Sequence, residues 1–190
     1  MKQIDHTYLK LENFKGLPFD HNTLIKSVDH LYQILDTIDN TLVSSNSDRL
    51  STLVEKANLS SIVGNILGAG FAINSKGKYY RNGPHTYPDL INESDEEQNI
   101  EIKVALQKNY PKGHLPKKGN YLTFRYILDS KGSITIWEIK YGFLNENSFN
   151  ISNTEGDSGK TAVISANSFN NMTLLYLDNT VNPYTRYPGA

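Results

Sequence analysis

The sequence predicts an α+β fold, with N-terminal helices packed on a central mixed, largely antiparallel β-sheet. Two observations carry this prediction. Apolar residues recur at helical spacing through the first 70 positions, and from about residue 78 the chain turns to short runs of β-branched and aromatic residues separated by Gly, Pro, Asn or Asp. A length of 190 residues suits one domain, residues 1–70 mainly helical and 78–190 mainly β.

In the helical part, Leu24, Ile25, Val28, Leu31, Tyr32, Leu35, Ile38 and Leu42 form one stripe over 22–43, with Lys26, Asp29, Gln33 and Asp36 opposite. Asp48 is expected to cap a second helix bearing Leu50, Leu53, Val54 and Ala57. Ser60 or Ser61 is expected to start a third helix, which Gly68 and Gly70 would end. The expected strands are 87–91, 99–106, 121–128 and 133–143, with further strands at 162–165 and 172–177. Asp129-Ser130-Lys131-Gly132 is expected to turn one hairpin, and the polar run at 92–99 another.

Composition narrows the function classes. Hydrophobic residues at 38% and charged residues at 21% exclude a disordered or collagen-like chain, and a net charge of -1 excludes a polybasic coat. The absence of Cys removes disulfides, thiolate metal sites and cysteine nucleophiles. The charged N-terminal stretch lacks a signal-peptide apolar core, so a cytoplasmic protein is expected. The longest apolar run, Ile66 to Ile73, is far shorter than the roughly 20 residues that cross a bilayer.

The chemistry concentrates in the hairpin at 87–106. Alternation along the second strand puts Ile100, Ile102 and Val104 on one face and Glu101 and Lys103 on the other, and antiparallel pairing brings Asp89 towards them. Two carboxylates and an ammonium suit Mg²⁺-assisted phosphodiester hydrolysis, because Mg²⁺ takes oxygen ligands and is held by one or two carboxylates while keeping water and phosphate in its other positions. All three side chains are expected to stand partly exposed. A bare surface ion pair between Glu101 and Lys103 is the alternative without function.

Pro88-Asp89, followed after eleven residues by Glu101-Ile102-Lys103, resembles the signature of the PD-(D/E)XK nucleases, whose small single-domain members include restriction endonucleases. The resemblance covers residues 48–128 at most. It implies that Asp89, Glu101 and Lys103 are catalytic, that Asp89, Glu101 and the carbonyl of Ile102 hold Mg²⁺, and that Glu55, placed on the second helix, is an accessory acid. One departure is visible: the family's helix after the Glu-x-Lys strand is excluded here by Pro111, Gly113, Pro116 and Gly119.

Between Val104 and Leu128 there are five cations and no Asp or Glu. Lys108, Lys112, Lys117, Lys118 and Arg125, with His114, are the candidate DNA-binding residues, and Tyr110 and Tyr121 could pack on sugars. Glu93, Asp95, Glu96 and Glu97 crowd the hairpin tip, which is expected to point away from DNA. The P-loop-like run Thr154 to Thr161 lacks its first glycine, and the five His, His85 among them, show no metal spacing.

The resulting expectation is a single nuclease domain over 1–190. It would be a Mg²⁺-dependent type II restriction endonuclease cutting double-stranded DNA at a short sequence, as a homodimer with helix 22–43 as a possible dimer surface. A structure-selective nuclease of the same fold and a non-catalytic DNA-binding protein are the alternatives.

Overall fold

The computed structural model describes residues 2–84, 86–152 and 161–184. Helix α1 (His21–Ser44) follows the expected stripe, and Asp20 caps it by accepting from the Thr23 amide at 2.7 Å. Helix α2 (Leu50–Leu53) is a single turn and Asp48 does not cap it. Asp39 of α1 does that work across space, accepting from the Leu50 amide and from Arg49, both at 2.9 Å.

Helix α3 (Lys56–Asn74) starts four residues before Ser60 and runs through both glycines that were expected to stop it. A side chain at Gly70 would meet His30 at 3.0 Å and the Ser27 carbonyl at 3.1 Å, and one at Gly68 would touch Ile102 at 3.4 Å. These glycines therefore let α3 approach α1 and the sheet closely, a tertiary benefit that outweighs their weak helix propensity of about 1 kcal/mol each.

The strands are β1 (Tyr79–Arg81), β2 (Leu90–Asn92), β3 (Ile100–Leu106), β4 (Lys112–Gly113), β5 (Gly119–Leu128), β6 (Ile134–Leu144), β7 (Phe149–Ser152), β8 (Thr161–Ile164) and β9 (Thr173–Leu177), with helix α4 (Ala166–Asn171) before the last. Six of them form a sheet in the order β1-β2-β3-β5-β6-β9, antiparallel throughout except for the parallel pair β3 and β5. Strands β4, β8 and β7 form a small antiparallel sheet. Both expected hairpins are present, although the strand expected at 87–91 is β2 at Leu90–Asn92, which leaves Asp89 just outside it; in the turn between β5 and β6 Asp129 accepts from the Lys131 and Ser133 amides.

The layers follow from strand alternation. Helices α1 and α3 cover one face of the large sheet, burying Leu24, Leu31, Leu67 and Phe71 against Ile102, Leu122, Phe124 and Ile139. On the other face Tyr121 and Leu144 pack with Ile164, Phe169 and Met172 of the small sheet and α4. The outer edge of β9 is covered by the N-terminal segment: Lys10 donates its amide to the Leu175 carbonyl and Asn13 donates to the Leu174 carbonyl. No described helix is long and apolar enough to cross a membrane.

Candidate active site

The site lies on the face of β3 turned away from the helices. Strand β2 pairs with β3 through Leu90 and Ile100 and then diverges, which sets Asp89 beside β3 with its carboxylate accepting from the Ile102 amide at 2.8 Å. In an extended strand the amide and carbonyl of one residue point to the same side, so the Ile102 carbonyl is directed to the edge where Asp89 sits.

Glu101 and Lys103 share the other face as the alternation requires, with Lys103 Nζ donating to Glu101 Oε1 at 2.5 Å. Glu101 is only 8% exposed, against the expectation that it would be partly exposed, whereas Lys103 and Asp89 are half-buried. The second Glu101 oxygen, Oε2, is buried without a hydrogen-bond partner. Burial pushes the Glu101 carboxyl above the usual carboxylate range, the Lys103 ammonium pulls it back, and the Asp89 carboxylate adds to the push. Two carboxyls this close favour a shared proton in the free protein, and a cation can take that proton's place at the otherwise unpartnered oxygen. Among the described residues no three His, Cys, Asp or Glu come together, so the protein offers two carboxylates here, a set suited to Mg²⁺ and poor in nitrogen and sulfur donors for Zn²⁺.

Three segments frame this pair. The connection from β3 to β5 crosses the same face, and Gly113 of β4 lies so close that an added Cβ would be 3.4 Å from Lys103 Cε. Tyr121 of β5 stands in register with Glu101. Tyr87, just before Pro88 and Asp89, feels the Glu101 charge, which together with burial raises its hydroxyl above the ordinary tyrosine value.

The basic residues divide. Lys112, His114, Lys117 and Lys118 are exposed on the connection that frames the site, Lys117 over the Tyr87 ring at 4.4 Å and Lys118 at 5.8 Å from the Phe143 ring. Lys108 lies two residues past the other end of β3, an end that is itself about 17 Å of strand from Glu101, against the Tyr184 ring. Arg125 is not on the surface at all: it is buried, paired with Glu138 at 3.1 Å and stacked 4.0 Å from Phe169. Tyr121 is equally buried and meets no solvent.

Glu55 also departs from its expected place. It is the exposed residue preceding α3 rather than a member of the second helix. Gly68 marks where α3 crosses Ile102, and Glu55 lies thirteen positions before it, about 20 Å along the helix axis, on the face of the sheet opposite Glu101. The acidic hairpin tip does not turn away from the site end of the sheet, because Asn120 at the start of β5 donates to the Glu97 and Asn99 carbonyls. His85 and nearly all of the run from Thr154 lie outside the described residues.

Sequence reasoning missed Tyr87 and the buried charges further along the same face, Glu138 and Lys140. The signal for the latter was available: Glu138 and Lys140 alternate with Trp137, Ile139 and Tyr141, as Glu101 and Lys103 do with their neighbours. No protein-family model matches the chain, and a search of curated proteins finds no relative.

Proposed function

We propose that the chain is a Mg²⁺-dependent endonuclease of the PD-(D/E)XK kind acting on double-stranded DNA, with a homodimeric type II restriction endonuclease as its specific form. The observation that carries the reading is the buried, unpartnered oxygen of Glu101 beside Asp89, with the Lys103 ammonium in contact and a lysine-bearing segment packed against Lys103. What points to chemistry is not burial alone, which the Arg125 and Glu138 pair shares, but a buried carboxylate oxygen left without a donor beside a second carboxylate.

Asp89, Glu101 and the Ile102 carbonyl would hold the ion. Bound Mg²⁺ lowers the pKa of a coordinated water and offsets charge on the phosphate. Lys103 orients the attacking water and stabilises the negative charge that builds on the phosphate oxygens. Water oxygen bonds to phosphorus as the bond to the 3′ oxygen breaks, leaving 5′-phosphate and 3′-hydroxyl ends. Lys112, Lys117 and Lys118 bind neighbouring phosphates, which contributes affinity without sequence information.

The test is digestion of unmodified phage DNA by the purified protein with Mg²⁺ or with EDTA, with Lys103→Ala alongside. Discrete bands that require both Mg²⁺ and Lys103 support the restriction form. A smear with the same requirements keeps the chemistry and selects a structure-selective nuclease. Intact DNA with a shifted band overturns the enzyme and leaves a DNA-binding protein.

A further inference from the structure

Two tyrosine hydroxyls grip consecutive carbonyls of the basic segment. Tyr87 donates to the Lys118 carbonyl at 2.7 Å and Tyr121 donates to the Lys117 carbonyl at 2.8 Å. The two hydroxyls are close enough to influence each other, and both feel the charge of Glu101. Tyr121 is held by the sheet in register with Glu101, whereas Tyr87 belongs to the segment that delivers Asp89. The approach of Tyr87 also depends on Gly119: a Cβ there would clash with the Tyr87 hydroxyl, although the Gly119 backbone conformation is one that any residue adopts.

We propose that Tyr87 is a positioning residue that locks Lys117 and Lys118 beside the metal-binding carboxylates, so that phosphate contacts and the reacting phosphate are held in one fixed relation. The inference rests on the nuclease reading and deepens it. The segment from Lys112 to Lys118 has only two residues in a strand, so its backbone would otherwise sample many conformations and its ammonium groups would be spread in space. Two hydrogen bonds to adjacent carbonyls remove that freedom where Lys117 and Lys118 leave the chain. The Tyr87 ring also lies under Lys117 at 4.4 Å, which fixes the direction of that side chain as well as its root. Tyr87 thus joins the Asp89 segment to the lysines without touching substrate itself.

The experiment compares wild type, Tyr87→Phe, Gly119→Ala and the Lys117→Ala/Lys118→Ala pair. It measures DNA binding in EDTA over a range of salt concentrations and steady-state cleavage in Mg²⁺. Tyr87→Phe keeps the ring and loses the hydroxyl. The expected result is a rise in KM of about fivefold, the value of one ordinary hydrogen bond, with kcat within about twofold of wild type. The slope of log affinity against log salt should flatten by about 0.9 for each lysine contact released. Gly119→Ala, which displaces the hydroxyl while keeping the tyrosine, should reproduce this pattern, and neither change should add to the Lys117→Ala/Lys118→Ala pair. A fall in kcat at constant KM, an unchanged salt slope, or additive effects would overturn the positioning role while the nuclease reading stands. Wild type that binds DNA without cutting it removes the nuclease reading, and the salt slopes in EDTA still decide the lock. Wild type that neither binds nor cuts overturns both.

Discussion

One sheet face carries two buried ion pairs, and they differ in what they leave unsatisfied. Glu101 and Lys103, at the end where β2 diverges, leave an acceptor without a partner, Glu101 Oε2. Arg125 and Glu138, on β5 and β6, leave donors, Arg125 Nη2 and Trp137 Nε1. The first pair is framed by exposed lysines. The second is closed in by Phe169 at 4.0 Å, Tyr110 at 4.9 Å and Trp137 at 5.8 Å from the guanidinium, and Lys140 donates to the Phe169 carbonyl at 3.1 Å. The contrast teaches that burial alone does not mark a reaction centre. The sign of the unmet hydrogen-bonding capacity, with the greater exposure of Lys103 alone, separates a site that can receive a cation from a latch that holds α4 on the sheet.

The largest expected effect falls on the first pair. Lys103→Ala or Asp89→Asn should cut the rate of DNA cleavage by about 10²-fold or more, as removal of a single charge-stabilising group does in other enzymes, with the fold retained by circular dichroism even where Lys103→Ala, by stranding the Glu101 carboxyl, lowers the melting temperature. Wild-type cleavage by Lys103→Ala would dissolve the distinction between the two pairs. The second pair should show the opposite pattern. Glu138→Leu alone strands a buried guanidinium and should cost about 3–5 kcal/mol, read by chemical denaturation. Adding Arg125→Met should recover most of that loss, because an apolar pair of similar volume fits where the ions were. A double variant no more stable than the single one would mean that Arg125 does more than hold the layers together.

A smaller effect separates function from stability within Glu101 itself. Its raised carboxyl means that the folded protein holds this proton more tightly than the unfolded chain. The stability it contributes is therefore full below the ordinary carboxylate range and is lost as pH rises through the raised value. Glu101→Gln should leave the metal-free protein as stable as wild type or more so at neutral pH, read by chemical denaturation, while removing Mg²⁺ binding. Titration of Mg²⁺ at falling pH should show affinity declining as Glu101 takes up its proton. A pH-independent affinity would take Glu101 out of the ligand set.

The elements that could be read from the sequence were those whose signal is local. The period of α1, the alternation of β3 and the turn at Asp129 depend on neighbouring residues, and so did the shared face of Glu101 and Lys103. The continuation of α3 through Gly68 and Gly70 depends on His30 and Ile102, which are remote in sequence and reward the missing side chains. Arg125 misled for a related reason: counting charges between Val104 and Leu128 ignores which strand face each one leaves. Alternation from Tyr121 through Thr123 already placed Arg125 on the covered face. Tyr87 carried no local signal, because its partner is a carbonyl 31 residues away.

The cover over the edge of β9 has a consequence for synthesis. Strand β9 at Thr173–Leu177 joins the sheet beside β6 and receives Lys10 and Asn13 on its other side. On the ribosome those first residues emerge long before their partner strand. Until it arrives, β6 presents an open row of amides and carbonyls along its border, the kind of template that recruits another chain. In the interval before the last strand docks, this border of β6 is open to pairing with another chain.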